Sequence, residues 1–144
     1  MVRYPATLDP DPKTGGYVVT FPDVPEGVTQ GDNDEEAMDM ARDCIITVFA
    51  EYIRSGREIP RPSRLRGKRQ RMVALPLLVS MKIELYNAWL QSGMRKAELA
   101  RHLGIPKTVV DRLFNLKHRS RMEQIEAAFE ALGKHLEIAV RDAA

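Results

Sequence analysis

A single cysteine, Cys44, stands among 144 residues, so no disulfide can close within the chain and no thiolate metal cluster can form. Ile45, Val48 and Phe49 beside it mark it as a packed structural thiol; a nucleophile would need an electropositive pocket, and none is visible. The three histidines, His102, His118 and His135, have no pairing at metal-ligand spacing. Long apolar runs are also missing: the longest, Val73 to Met81, is broken by Pro76 and too short for a bilayer. The opening MVRYPATLDP lacks the apolar core of a signal peptide. A cytoplasmic protein without membrane contact, metal or other cofactor is expected. Aromatics make up only 6% of the chain, and Trp89, with Leu85, Tyr86 and Leu90 around it, reads as core rather than as a stacking platform for bases. No repeat or low-complexity tract is present.

What the chain does contain is enough apolar content, 44%, for packed cores, and an uneven distribution of charge. Residues 1–63 hold 6 Lys/Arg against 12 Asp/Glu, a balance of −6, while residues 64–144 hold 16 against 8, a balance of +8. Two modules with different partners are implied: a basic one suited to a polyanion and an acidic one suited to a basic surface.

Residues 3–8 and 17–21 read as short strands, the second placing Tyr17, Val19 and Phe21 on one face. DPDPKTGG between them is a turn, and Pro5 places the first strand at a sheet edge, where a missing N–H costs nothing. A third short strand is expected at Val28 to Gln30. Asn33 and Glu36 then form a capping box, with Asp32, Asp34 and Glu35 adding negative charge at the start of a helix. Its apolar face is Ala37, Ala41, Cys44, Ile45, Val48, Phe49 and Tyr52, and Gly56 stops it. Residues 57–71, with two prolines and seven arginines or lysines, read as a linker between the halves. MVALP at 72–76 is a candidate fourth strand, and PLLVSMKIELYNAWLQSG opens a helical module. The expected division is 1–76 and 77–144, each with its own core, so that a fragment ending near Pro76 should fold alone. Leu136 to Val140 alternates like a strand that either pairs with its copy in a dimer or merely ends the last helix.

The segment from Lys96 to Asn115 satisfies the spacing of two helices crossing at a sharp angle: Ala100 is the small residue at their contact and Gly104 the turn. Leu99, Leu103, Val110 and Leu113 face inward, and Pro106 starts the second helix. Helical geometry then turns Lys107, Thr108, Asp111, Arg112 and Asn115 outward, where they can reach a major groove. Lys96, Lys117, His118, Arg119 and Arg121 would sit beside phosphates. The spacing resembles the Xre/Cro-type helix-turn-helix family over roughly residues 80–132. Arg95 departs from it where a Ser or Thr cap is common, with Ser92 as a candidate substitute.

The acidic half carries Gly16-Tyr17, Phe21-Pro-Asp-Val-Pro25, Gly31-Asp32, Glu36-Ala37-Met38 and Pro60 to Ser63. In these it resembles the N-terminal domain of HicB-type antitoxins, many of which also carry a C-terminal helix-turn-helix. The resemblance implies an α+β chain: a partial ribonuclease-H-like βββαβ domain followed by an all-α DNA-binding domain. It further implies a type II antitoxin that masks a small basic mRNA-cleaving HicA-type toxin and represses its own operon by binding operator double-stranded DNA as a homodimer or higher oligomer. Asp23, Glu26, Asp32 and Asp34 are the candidate toxin-binding edge. Two other readings compete. A nuclease could gather a divalent metal on Asp9, Asp11, Asp23 and Asp32, but each of these sits in a turn or cap with a structural use, so no enzyme is expected. A repressor could instead sense a small molecule through the N-terminal module, but no polar cluster points to a pocket.

Overall fold

In a computed structural model the chain is described over residues 1–143. It is α+β: strands β1 (Arg3–Pro10), β2 (Tyr17–Thr20) and β3 (Val28–Gly31), helix α1 (Asp34–Arg54) and strand β4 (Gln70–Ala74) precede four helices. These are α2 (Leu77–Ser92), α3 (Lys96–Leu103), α4 (Lys107–Phe114) and α5 (Met122–Ala131). The strands form one antiparallel sheet in the order β3-β2-β1-β4.

Alternation puts Tyr4, Ala6, Leu8, Val19 and Val73 on one face of the sheet, all buried. Ala37, Ala41, Ile45, Phe49 and Tyr52 of α1 recur every three or four residues and cover that face, with Tyr4 edge-on to Phe49 at 5.0 Å. The helix starts as its sequence demands: Asn33 Oδ1 accepts from the Glu36 N–H at 2.9 Å, and the Glu36 carboxylate accepts from the Asp32 N–H at 2.7 Å. Such a cap is worth about 1 kcal/mol. Gly31 is required by close approach, since a Cβ there would lie 2.4 Å from the Ala37 nitrogen. The nearest atoms are all main chain of Glu36 and Ala37 in α1, so no side chain is free to yield.

Pro5 is not on an edge strand, because β1 lies between β2 and β4. It is tolerated for a local reason. The bonds of Leu8 N–H to Arg69 and Leu75 N–H to Val2 show that even-numbered residues of β1 bond β4, so the nitrogen of Pro5 faces the other side. There β2 pairs only with Thr7 to Pro10, leaving no ladder bond for Pro5 to break.

The basic segment 57–71 does not link the halves. It leads from α1 back into the sheet as β4, and the passage between halves is the short Leu75-Pro76 step. The start of the segment is clamped to α2: Asn87 bonds both the N–H and the C=O of Ile59, at 3.1 and 2.9 Å, and the Tyr86 hydroxyl donates to the Arg57 carbonyl at 2.8 Å. Ser80 Oγ accepts from the Val2 N–H at 3.0 Å. The expectation of two separate cores is therefore corrected. Buried apolar side chains run as one continuous cluster from Tyr4 to Phe129, with α2 turning one side to the sheet module and the other to α4 and α5. A helix apolar nearly all round is used in this way when buried on both sides. Among the described residues no helix is long and apolar enough to cross a membrane.

Candidate nucleic-acid interface and acidic surface

Helix α3 ends at Gly104, whose φ of 65° reverses the chain without the strain a Cβ would bring, and α4 starts after Pro106. Leu99, Ala100, Val110 and Leu113 are buried between the helices, and Leu103 packs on the same cluster half-buried. No side chain caps α3. Ser92 does not replace the missing cap: its hydroxyl bonds the Trp89 carbonyl and the Met94 N–H, closing the end of α2.

Burying Val110, Leu113 and Phe114 leaves Lys107, Thr108, Asp111, Arg112 and Asn115 exposed along one side of α4. Lys117, Arg119 and Arg121 are exposed in the following loop, with His118 half-buried among them. Lys96 is less free than its sequence position implies, since its ammonium pairs with Asp111 at 2.9 Å and lies 5.8 Å above the Trp89 ring. The Trp89 ring itself packs on Phe114, centroids 5.0 Å apart, within the core.

Sequence reasoning missed Lys82. It is wholly buried in α2, and its ammonium donates to the carbonyls of Arg112 and Asn115, both at 2.8 Å, and to Ser120 Oγ at 2.9 Å. These acceptors are the C-terminal end of α4 and the loop after it, so one cation fixes both ends of the exposed basic stretch. Burial pulls the Lys82 amine down to about 8, while three aligned oxygens at a helix C-terminus favour its charged form. The signal in the sequence was a lysine with apolar Val79, Leu85 and Tyr86 as its neighbours three and four residues away.

The four acidic residues of the candidate toxin-binding edge fall at the two ends of β3, which is an edge strand of the sheet. Asp23 and Glu26 lie in the loop before it, and Asp32 and Asp34 follow it. Asp23 accepts from the N–H and hydroxyl of Ser63 at 2.9 and 3.1 Å, fastening residues 60–63 over the sheet module. Glu26 accepts from the Tyr52 hydroxyl and from Arg57 at 2.9 Å, and Asp34 pairs with Arg71 at 2.9 Å. Asp32 is exposed. Alongside it the outer side of α1 presents Glu35, Asp39 and Asp43, four residues apart over a helix roughly 30 Å long. That row, visible as a spacing in the sequence, was not singled out there.

The Tyr52 and Arg57 hydrogen bonds hold the Glu26 carboxyl down to about 2, well below its ordinary 4.5. A carboxylate depressed by folding adds stability above its unfolded value and loses it as pH falls towards the folded one. Glu26→Gln should therefore lower the melting temperature at pH 7, and the gap from wild type should close between about pH 4.5 and pH 2, as thermal melts across that range will show.

The aspartates of the nuclease reading are dispersed: Asp9 pairs with Arg69 at 3.0 Å and Asp11 accepts from the Lys13 N–H in the hairpin turn. Among the described residues no three His, Cys, Asp or Glu side chains are grouped to hold a metal. The Cys44 thiol is pushed up by burial, as a packed thiol is.

Residues 3–84 match the family described as the HicB-like antitoxin of bacterial toxin-antitoxin systems. The chain is 44% identical over 137 residues to Antitoxin HicB of Escherichia coli K12, covering 95% of this chain and 98% of that one. It is 40% identical to Antitoxin HicB 1 of Photorhabdus laumondii, over 96% of this chain and 87% of that one. A chain from a solved toxin-antitoxin complex of Streptococcus pneumoniae aligns at 22% identity and a TM-score of 0.45, covering 81% of this chain and 99% of that one, a likeness too slight to argue from. Similarity that runs the whole length of the relatives, sheet module and helical module together, places this chain in the HicB-like antitoxin family.

Proposed function

We propose that the chain neutralises a small, basic, mRNA-cleaving toxin of the HicA type through its sheet module and represses its own operon through α3 and α4, acting as a helix-turn-helix on operator DNA. The observation that carries the DNA-binding half is the exposed side of α4, where Lys107, Thr108, Asp111, Arg112 and Asn115 stand together with Lys117 and Arg119 just beyond. Side chains on such a helix reach base edges, and cations in the next loop reach phosphates. A homodimer presents two such helices to a symmetric site. On the toxin side the net charge of −6 over residues 1–63 suits a basic RNA-binding surface. Asp32, Glu35 and Asp43 are the readiest contacts, since Asp23, Glu26, Asp34 and Asp39 already serve internal bonds.

Fluorescence anisotropy with DNA from upstream of the gene tests the reading. Arg112→Ala should weaken binding by about 1 to 3 kcal/mol and relax preference at one base, whereas Lys117→Ala should weaken all sequences alike and flatten the salt dependence. Wild-type binding by Arg112→Ala would remove α4 as the reading helix. Toxin neutralisation is read separately, by co-expressing the chain with the basic reading frame that neighbours its gene and scoring growth.

A further inference from the structure

Asp111 is the only acidic residue of α4, one helical turn beyond Lys107 and Thr108 and next to Arg112 on the exposed side. The other charged side chains on that side, Lys107 and Arg112, are cations, as a surface turned towards a polyanion requires. A carboxylate placed among them is repelled by phosphates unless the interface compensates it. Stability does not account for its presence, because exposed ion pairs contribute little.

The compensation is built into the helix pair. Lys96, the first residue of α3, reaches across to α4, and its ammonium donates to Asp111 Oδ1 at 2.9 Å. Two core rings place that ammonium, with centroids 5.8 Å away for Trp89 and 6.0 Å away for Phe114. One carboxylate oxygen is thereby committed, while Oδ2 has no partner among the described residues and the Asp111 side chain stays 52% exposed. At this position α4 offers a held hydrogen-bond acceptor whose charge is already balanced.

Base edges in a major groove differ in what they give such an acceptor. Guanine presents two acceptors, thymine an acceptor and a methyl group, and adenine an amino donor beside an acceptor. Cytosine presents an amino donor with no acceptor of its own next to it. We propose that Asp111 reads a cytosine in each half of the operator by accepting from its N4 amino group. Lys96 is the positioning residue that holds the carboxylate for this contact, rather than a phosphate ligand. The assignment deepens the function proposed above and rests on α4 lying in the major groove.

Single-base variants of the upstream DNA, measured by fluorescence anisotropy with the full chain, locate the contact. Wild type should favour cytosine over the other three bases by about ten-fold at one position of each half-site, the usual size of a lost direct contact. Asp111→Asn should move that preference from cytosine to adenine, because an amide both donates and accepts and so matches adenine N7 and N6. Asp111→Ala should level it. Lys96→Met keeps an apolar stem against Trp89 and releases the carboxylate, so the cytosine preference should shrink several-fold. Loss of a phosphate contact would instead weaken all sequences alike and leave the preference intact. Melting curves on the same variants check that each is folded. Base preferences unchanged in both Asp111→Asn and Asp111→Ala would overturn the assignment, while weakened binding by Arg112→Ala would still leave α4 as the reading helix. A Lys96→Met chain that loses affinity for every sequence equally overturns the positioning role, and a wild-type chain that binds none of these DNAs overturns the assignment together with the reading it rests on.

Discussion

Lys82→Met should lower the denaturation midpoint and, more sharply, the affinity for operator DNA. Methionine fills nearly the volume of the lysine stem, so packing around Leu85 and Tyr86 survives. What is lost are the three hydrogen bonds of the ammonium, while the Arg112 and Asn115 carbonyls keep only the N–H groups of Asn115 and His118, and Ser120 Oγ keeps only its 3.5 Å bond to the Arg112 carbonyl. Hydrogen bonds to a charged donor contribute about 1.5–3 kcal/mol, and relief from burying an ammonium offsets part of their loss. A net loss of about 2 kcal/mol follows. DNA binding suffers beyond that, because the freed acceptors lie where α4 ends and the loop bearing Lys117 and Arg119 begins. A loop that samples several positions must be ordered again on binding. The pH dependence separates Lys82 from an ordinary packing residue. Its folded value of about 8 lies below the unfolded 10.5. Between these, the unfolded chain keeps a proton the folded chain has released, so stability rises with pH across that window in wild type relative to Lys82→Met. Denaturation at pH 7 and pH 10 together with anisotropy at pH 7 tests both parts. Wild-type operator affinity in a folded Lys82→Met would show that the lysine serves packing alone.

Local signals carried most of the secondary structure. The Asn33 to Glu36 cap, the seven-residue face from Ala37 to Tyr52 and the Gly104-Pro106 turn are each decided by residues within a turn or two of one another, and each lies where its pattern places it. Pro5 misled because a proline reports only that its own nitrogen lacks a partner. Whether the whole strand is an edge depends on how far β2 and β4 extend, which is set by distant sequence. The segment from Arg57 to Arg71 misled for a related reason. Prolines and like charges usually mean a solvated linker, yet Ile59 within it is 1% exposed, held by an asparagine 28 positions away. Among the candidate site residues, exposure followed from helical period alone, so the α4 face was legible. Pairing was not: that Lys96 meets Asp111, or Glu26 meets Arg57, depends on how elements pack.

A fragment of residues 1–76 should be largely unfolded on its own, contrary to what the separate charges of the halves suggest. The cut removes α2, and with it both bonds that hold Ile59, the hydroxyl that holds Arg57 and the Ser80 oxygen that holds the Val2 N–H. Ile59 and Leu75, 1% and 0% exposed in the full chain, would lose cover. Each is worth about 1.5–3 kcal/mol when buried. Domains this small bury a modest share of their surface and have only about 5–15 kcal/mol to lose. Releasing Ile59 also frees Pro60, whose carbonyl accepts the Tyr4 hydroxyl at 2.7 Å, and so loosens the packing of Tyr4 on Phe49. The family match is consistent with this, running through residue 84 and so into α2. The full chain should accordingly melt in one transition seen alike by circular dichroism and by Trp89 fluorescence, although Trp89 lies wholly on the helical side. Hydrogen exchange at Ile59 gives the local readout, slow in the full chain and fast in the fragment. A fragment that melts cooperatively at the temperature of the full chain, with the Ile59 amide still protected, would show that the sheet module stands without α2 and that the two halves are joined only by their chain.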